Sequence, residues 1–200
     1  MPTGQLQPRL QQALELTFQL HGRDARKGSQ VPVMAHLLGV CALVQQDGGN
    51  EDEAIAALLH DCLEDKPEQI SRQEIRARFG AQVLQLVVVA TDTPADYRGG
   101  RKPPWLKRKQ RYLRAIEQAD PSLLRVTIAD KIDNLRAIIA DYERLGEALW
   151  DRFSAGRDLQ RWYFSSSYKA FQKAGYSGKL LDEMGRLLQI LERLIAAAAT

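Results

Sequence analysis

The chain has 200 residues, 44% hydrophobic and 26% charged, which suits one domain with a substantial core and no reliance on disulfides or a structural metal. Its 28 basic and 25 acidic residues leave a net charge of +3, too weak a field to argue by itself for nucleic-acid binding. Cys41 and Cys62 form no metal-finger spacing, the polar start is no signal peptide, and no apolar run nears the ~20 residues of a membrane span, so a cytoplasmic protein is expected.

Every segment reads as helix, and an all-α bundle is expected. Residues 7–20 carry Leu10, Ala13, Leu14, Thr17 and Phe18 at spacings of three and four, which predicts a helix with those side chains inward. His21-Gly22 ends it, and a basic loop, Arg23 to Ser29, follows. Pro32 suits the first turn of a second helix reaching about Gln46, with Ala35, Leu38, Ala42 and Leu43 inward and His36 in its first turns. Asp47-Gly48-Gly49-Asn50 breaks the chain. Asn50 and Glu53 then form a capping box for a third helix that ends at His60–Asp65. Ser71 and Glu74 repeat that signal, and Gly80 divides two short helices at about 71–79 and 81–91. Val87-Val88-Val89 has the composition of a strand, yet no partner strand is seen, so it is read as buried helix.

Residues 91–104 are the longest irregular stretch, leading to a basic helix with Lys107, Arg108, Lys109, Arg111 and Arg114. Asp120-Pro121 opens the next helix. Its Leu124, Val126, Ile128, Ala129, Ile132, Leu135, Ile138 and Ile139 are apolar nearly all round the first half, the profile of a central helix. A loop at 145–157 and helices at about 157–173 and 177–198 close the chain. Both cysteines sit in apolar helical contexts as small core residues.

Two places gather chemistry. In Leu59-His60-Asp61-Cys62-Leu63-Glu64-Asp65, Glu64 lies four residues after His60 and Asp65 four after Asp61, so the four polar side chains share one sector of a helix. Three carboxylates beside one imidazole repel one another unless a cation is present. Taken alone, a solvated helix end with a capping His explains such a cluster as well. Asp130 stands within Ile128-Ala129-Asp130-Lys131-Ile132, where a carboxylate needs a metal or a cationic side chain as partner, and Asn134 follows one turn later. His36, His60, Asp61 and Asp130 come from three expected helices, which side-by-side packing can bring together. Mixed nitrogen and oxygen donors suit Mn²⁺, Fe²⁺, Co²⁺ or Zn²⁺ better than Ca²⁺, with positions left for water and a phosphoryl oxygen.

The order His36…His60-Asp61…Asp130 resembles the signature of the HD phosphohydrolase superfamily. Four features narrow the resemblance to the hydrolase domain of RelA/SpoT-type alarmone enzymes. His21-Gly22 with Arg26-Lys27-Gly28 resembles that family's His-x-Gly-x-x-Arg-Lys-x-Gly loop, and Val31-Pro32 before His36 is similar to its Pro-Tyr-x-x-His segment. Leu59-His60-Asp61-x-x-Glu64-Asp65 matches its His-Asp-x-x-Glu-Asp motif, and Ala129-Asp130-Lys131-x-x-Asn134-Leu135 its Ala-Asp-Lys-x-x-Asn-Leu motif. Pro103-Pro104-Trp105 and Trp162-Tyr163 resemble a bacterial subgroup. With no room for a synthetase region, a free-standing small alarmone hydrolase is expected: one HD domain over 1–200, its motif core at 18–140.

The resemblance implies removal of pyrophosphate from the ribose 3′ position of a nucleotide such as ppGpp. It implies Mn²⁺ on His36, His60, Asp61 and Asp130, with Glu64 and Asp65 orienting or deprotonating the attacking water. Arg26 and Lys27 would face the nucleobase and a neighbouring phosphate, and Asn134 the nucleoside. The anionic charge of such a substrate adds a role for Arg108 and Lys109 as a clamp on the 5′ phosphates, with a solvated basic face as the alternative. Asp24, Val33 and Leu37 depart from the family's usual Gln, Tyr and Pro, which sets the adenine alarmone ppApp beside ppGpp. His21 is read as ordering its loop and not as a ligand. The other readings are a different HD-type nucleotide phosphohydrolase, a non-catalytic nucleotide sensor, or a nucleic-acid binder whose affinity falls with salt. The expected partner is a small-molecule nucleotide, with neither nucleic acid nor membrane.

Overall fold

The computed structural model describes residues 8–94 and 97–198. The fold is all-α: among the described residues the only extended pairing is one isolated antiparallel bridge, Ala25 to Pro32. The chain divides into two units, Met1–Arg101 and Lys102–Thr200. No helix of the described residues is long and apolar enough to cross a membrane.

The first unit holds α1 (Pro8–His21), α2 (Val33–Gln46), α3 (Glu51–Leu59), α4 (Cys62–Asp65), α5 (Arg72–Phe79) and α6 (Ala81–Ala90). Its start signals are chemical and local. Asn50 Oδ1 accepts from the Glu53 backbone N–H at 3.0 Å while Glu53 Oε2 accepts from that of Asn50 at 2.9 Å. Ser71 and Glu74 do the same for α5. Gly49 lets α2 turn tightly into α3, since a Cβ there would lie 2.5 Å from Val44 Cγ1 and 2.7 Å from Val44 O. Ala54 to Leu59 is wholly buried, so α3 is the inner helix, packed by α1, α2 and α6. Each fully buried leucine or isoleucine there stabilises the fold by roughly 1.5–3 kcal/mol. Arg9 ties the layers at their edge, donating to Glu51, Asp52 and the Phe79 carbonyl at 3.0, 2.7 and 2.6 Å.

Two helix faces differ from the sequence expectation. In α1 the buried set is Ala13, Leu16, Thr17, Leu20 and His21, and Phe18 is 55% exposed. In α2, Met34, His36, Leu37, Val40, Cys41, Leu43 and Val44 are buried, whereas Ala35, Leu38 and Ala42 are exposed. Both helices carry apolar residues on several faces, so a three-four spacing fits more than one stripe. The realised stripes bury the larger leucines and valines, and Thr17 bonds back to the Ala13 carbonyl at 2.7 Å. The third helix also stops earlier than expected: α3 ends at Leu59, His60 and Asp61 form a turn, and α4 restarts at Cys62.

The second unit holds α7 (Trp105–Gln118), α8 (Arg125–Leu145), α9 (Gly156–Lys173) and α10 (Lys179–Ala198). Asp120-Pro121 does not open α8: Asp120 Oδ1 accepts from the Ser122 N–H, capping a separate 3₁₀ turn at Pro121–Leu123. The expected loop at 145–157 contains a further 3₁₀ segment, Gly146–Arg152, which buries Leu149 and Trp150. Every residue of the expected central stripe of α8 is buried, from Leu124 to Ile139. Helix α10 packs on α8, and α7 on α9.

Candidate active site

The turn after α3 places His60 and Asp61 beside His36 of α2. The imidazoles of His36 and His60 lie edge to face with centroids 5.2 Å apart. Asp61 Oδ2 is 3.3 Å from His60 Nε2 and 3.8 Å from His36 Nε2. His60 is 1% exposed and its Nδ1 is 2.8 Å from the Ala57 carbonyl, which can only accept, so the Nδ1 carries the proton. That fixes the tautomer and turns the Nε2 lone pair toward Asp61, the orientation that a backbone carbonyl imposes on a metal-ligating histidine. A lone pair and a carboxylate oxygen at that distance repel unless a proton or cation lies with them. The donor set therefore fits a divalent ion. Thr91 steadies the turn from the end of α6, its Oγ1 donating to Val87 O at 2.9 Å and reaching His60 O at 3.5 Å.

Glu64 and Asp65 sit on α4, one turn beyond His60 and Asp61. Their backbone N–H groups both donate to the Asp61 carbonyl, at 3.0 and 2.9 Å. Glu64 is half-buried and Asp65 exposed. The same short helix reaches the basic loop. Lys66 Nζ lies 2.8 Å from Asp24 Oδ2 and 3.1 Å from Oδ1, and His21 Nδ1 lies 3.0 Å from Asp24 Oδ2. The Lys66 hydrogen bond, helped by His21 and opposed by burial, holds the Asp24 carboxyl below the usual carboxylate range. Buried His21 thereby orders the loop through Asp24. The loop closes on itself: Arg26 N–H donates to Val31 O at 2.8 Å and Ser29 N–H to Arg26 O at 3.0 Å. Gly28 (φ 69°) supplies the left-handed residue this hairpin requires. Arg26 is half-buried and Lys27 exposed.

In the second unit, Asp130 is buried on α8. Asn134 Nδ2 donates to its Oδ1 and Lys131 Nζ to its Oδ2, each at 2.5 Å. Burial alone would push the Lys131 ammonium toward neutrality, but the charge of Asp130 overrides this and holds it well above the ordinary lysine value. Lys131 also lies over the rings of Tyr112 (5.3 Å) and Tyr163 (5.6 Å), and Lys109 of α7 over Tyr163 (4.6 Å). Trp105 closes on Tyr163 and Trp162 at 5.8 and 6.4 Å. Arg108 is buried, 9% exposed, in contrast to the solvated helix face weighed from sequence. Sequence reasoning gave no role to Lys66, nor to Lys131 and Tyr163 beyond the motifs that contain them. Lys66 is 42 residues from Asp24, and neighbours such as Asp130 and Lys131 do not ordinarily face each other on a helix.

The HD domain family model matches residues 13–158. A Mus musculus protein named guanosine-3′,5′-bis(diphosphate) 3′-pyrophosphohydrolase MESH1 is 32% identical over 130 residues, 64% of this chain and 68% of its own length. An Aquifex aeolicus guanosine-3′,5′-bis(diphosphate) 3′-pyrophosphohydrolase is 30% identical over 131 residues, 18% of its length. Among solved structures, lmo0812 from Listeria monocytogenes EGD-e matches with TM-score 0.67 and 27% identity, covering 79% of this chain and 99% of its own. A structure described as a metazoan ortholog of SpoT that hydrolyzes ppGpp shares the fold over 96% of this chain and 99% of its own, with TM-score 0.74 and 21% identity.

Proposed function

Since this chain belongs to the HD domain family, we propose that it is a Mn²⁺-dependent 3′-pyrophosphohydrolase of bis-pyrophosphate nucleotides of the ppGpp or ppApp type. The observation that carries the reading is the convergence of two buried imidazoles and the Asp61 carboxylate, with the His60 tautomer fixed by Ala57. The family match across 13–158 supports treating both units as one such domain.

His36, His60 and Asp61 would hold the ion, with Asp130 of the Ala-Asp-Lys-x-x-Asn-Leu motif as the remaining ligand. When bound, such an ion would supply positive charge beside the phosphoryl group and lower the pKa of a nearby water. Glu64 and Asp65, anchored to the Asp61 carbonyl, orient that water and take its proton. Arg26, on its hydrogen-bonded hairpin, stacks on the nucleobase, and Lys27 meets the adjacent phosphate. Asn134 holds the nucleoside, and Arg108 with Lys109 neutralises the 5′ phosphates. The water oxygen joins the phosphorus next to the ribose, the 3′ C–O–P linkage breaks at phosphorus, and pyrophosphate leaves as the ribose regains its 3′ hydroxyl.

The test is product analysis after metal-stripped protein meets ppGpp and ppApp separately, with and without Mn²⁺, beside an Asp130→Ala variant. Pyrophosphate and a nucleoside diphosphate form only with Mn²⁺ and intact Asp130, and the faster substrate identifies the base. Mn²⁺ binding without cleavage of either nucleotide would overturn the reading, and a screen of ordinary nucleotides would then separate another HD-type phosphohydrolase from a sensor. Glu64→Gln and Asp65→Asn lower kcat by about 10²–10⁴-fold while Mn²⁺ still binds.

A further inference from the structure

The hairpin that carries Arg26 and Lys27 holds a further side chain on its working face. One antiparallel bridge joins Ala25 to Pro32, flanked by Arg26 N–H donating to Val31 O at 2.8 Å and Val33 N–H donating to Asp24 O at 2.9 Å. That register sets Arg26 opposite Val31 and Asp24 opposite Val33. Side chains alternate along extended backbone, so these four leave one face of the hairpin, and Ala25 and Pro32 leave the other. The first face is the one turned to the site. Asp24 on it meets Lys66, the residue after Glu64 and Asp65, at 2.8 and 3.1 Å.

Val31 is 49% exposed on that face, one of four large hydrophobic side chains left exposed among the described residues. Its backbone is pinned at both ends: the carbonyl accepts from Arg26 N–H, and its own N–H donates to Ser29 Oγ at 3.0 Å. An apolar group fixed at the surface gains free energy from whatever covers it, with little further loop ordering to offset the gain. Cross-strand partners have Cβ atoms about 4.5–5.5 Å apart, so a flat group lying on the Arg26 guanidinium reaches the Val31 methyls when it is wider than a single ring. The two fused rings of a purine have that width, whereas the single ring of a pyrimidine covers Arg26 alone. We propose that Val31 extends the surface on which Arg26 holds the nucleobase, and that the pair selects a purine over a pyrimidine.

Because it rests on Arg26 as the nucleobase contact of the proposed hydrolase, the test reads binding apart from turnover. ADP, GDP and CDP share ribose and diphosphate, and none carries a 3′ pyrophosphate to be cleaved. Each is titrated calorimetrically into the full chain at one fixed Mn²⁺ concentration. Wild type binds ADP and GDP more tightly than CDP. Val31→Ala removes two methyl groups, weakens both purine nucleotides about three- to tenfold and leaves CDP as it was. Val31→Ile restores the apolar contact and keeps purine affinity within about twofold of wild type. Both variants melt close to wild type, because the side chain they change is half in solvent. Equal or absent binding of the three nucleotides by wild type, an unchanged purine affinity in Val31→Ala, or a loss that CDP shares overturns the proposal. Cleavage of ppGpp or ppApp by a chain whose Val31→Ala variant binds like wild type removes this contact and leaves the hydrolase reading standing. The expected binding pattern without cleavage of either does the reverse.

Discussion

Lys66 links the helix of Glu64 and Asp65 to the loop of Arg26 and Lys27, and cutting that link isolates what the loop contributes. Lys66→Met keeps most of the stem and removes the charge that meets Asp24 at 2.8 and 3.1 Å. The side chains of Lys66 and Asp24 are 18% and 33% exposed, between a surface pair and a buried one. Exposed pairs contribute about 0.2–1 kcal/mol and hydrogen bonds to charged groups about 1.5–3 kcal/mol, so a coupling of about 1–2 kcal/mol is expected here. Urea unfolding of wild type, Lys66→Met, Asp24→Asn and the double variant closes the cycle that measures it. The same free energy, if it holds the loop against substrate, raises KM about 5–30-fold in Lys66→Met. The value of kcat and the affinity for Mn²⁺ stay as they were, because His36, His60 and Asp61 are not among the groups Lys66 bonds. A coupling near zero, an unchanged KM, or a fall in kcat at constant KM would each refute this reasoning.

Asp24 also predicts a pH dependence: its folded pKa is depressed, so its contribution is present above the usual carboxylate range and lost as pH falls through the depressed value. Wild type therefore loses stability on acidification below about pH 4, and Lys66→Met flattens that loss in urea titrations at successive pH values. The Tyr163 hydroxyl is buried with no hydrogen-bond partner among the described residues, so Tyr163→Phe is neutral or more stable by up to about 1 kcal/mol. Tyr163→Leu removes the ring under Lys109 and Lys131 and costs about 2–3 kcal/mol in the same assay. Burial pushes the Cys41 thiol up to about 11 and that of Cys62 higher still, so neither reacts with a thiol reagent at pH 8 until urea unfolds the chain.

The parts of this molecule legible in its sequence are those set by short-range chemistry. Asn50 with Glu53 and Ser71 with Glu74 announce two helix starts, because each capping box joins residues three apart. The stripe from Leu124 to Ile139 identifies α8 as a core helix, since burying it any other way would leave eight apolar side chains in water. The faces of α1 and α2 are not legible: where apolar residues fall on several faces of a helix, the choice falls to neighbours that come from elsewhere in the chain. Asp120-Pro121 carries a valid start signal, but Ser122 satisfies it within a single 3₁₀ turn. At the site, the structure brings together His36, His60 and Asp61, which the sequence groups as candidate donors, while the longer-range contacts around them come from tertiary structure. The Thr91 hydroxyl behind His60 and the Lys66 bridge to Asp24 are contacts across 31 and 42 residues, with no local signature.

Hydrolysis of ppGpp and ppApp by Mn²⁺-loaded protein in ¹⁸O-enriched water, read by ³¹P NMR and mass spectrometry, tests the central claim most directly. The proposed reaction places one ¹⁸O in the released pyrophosphate and none in the nucleoside diphosphate, and yields no orthophosphate. Label in the nucleotide, stepwise release of orthophosphate, or no turnover of either nucleotide would contradict it.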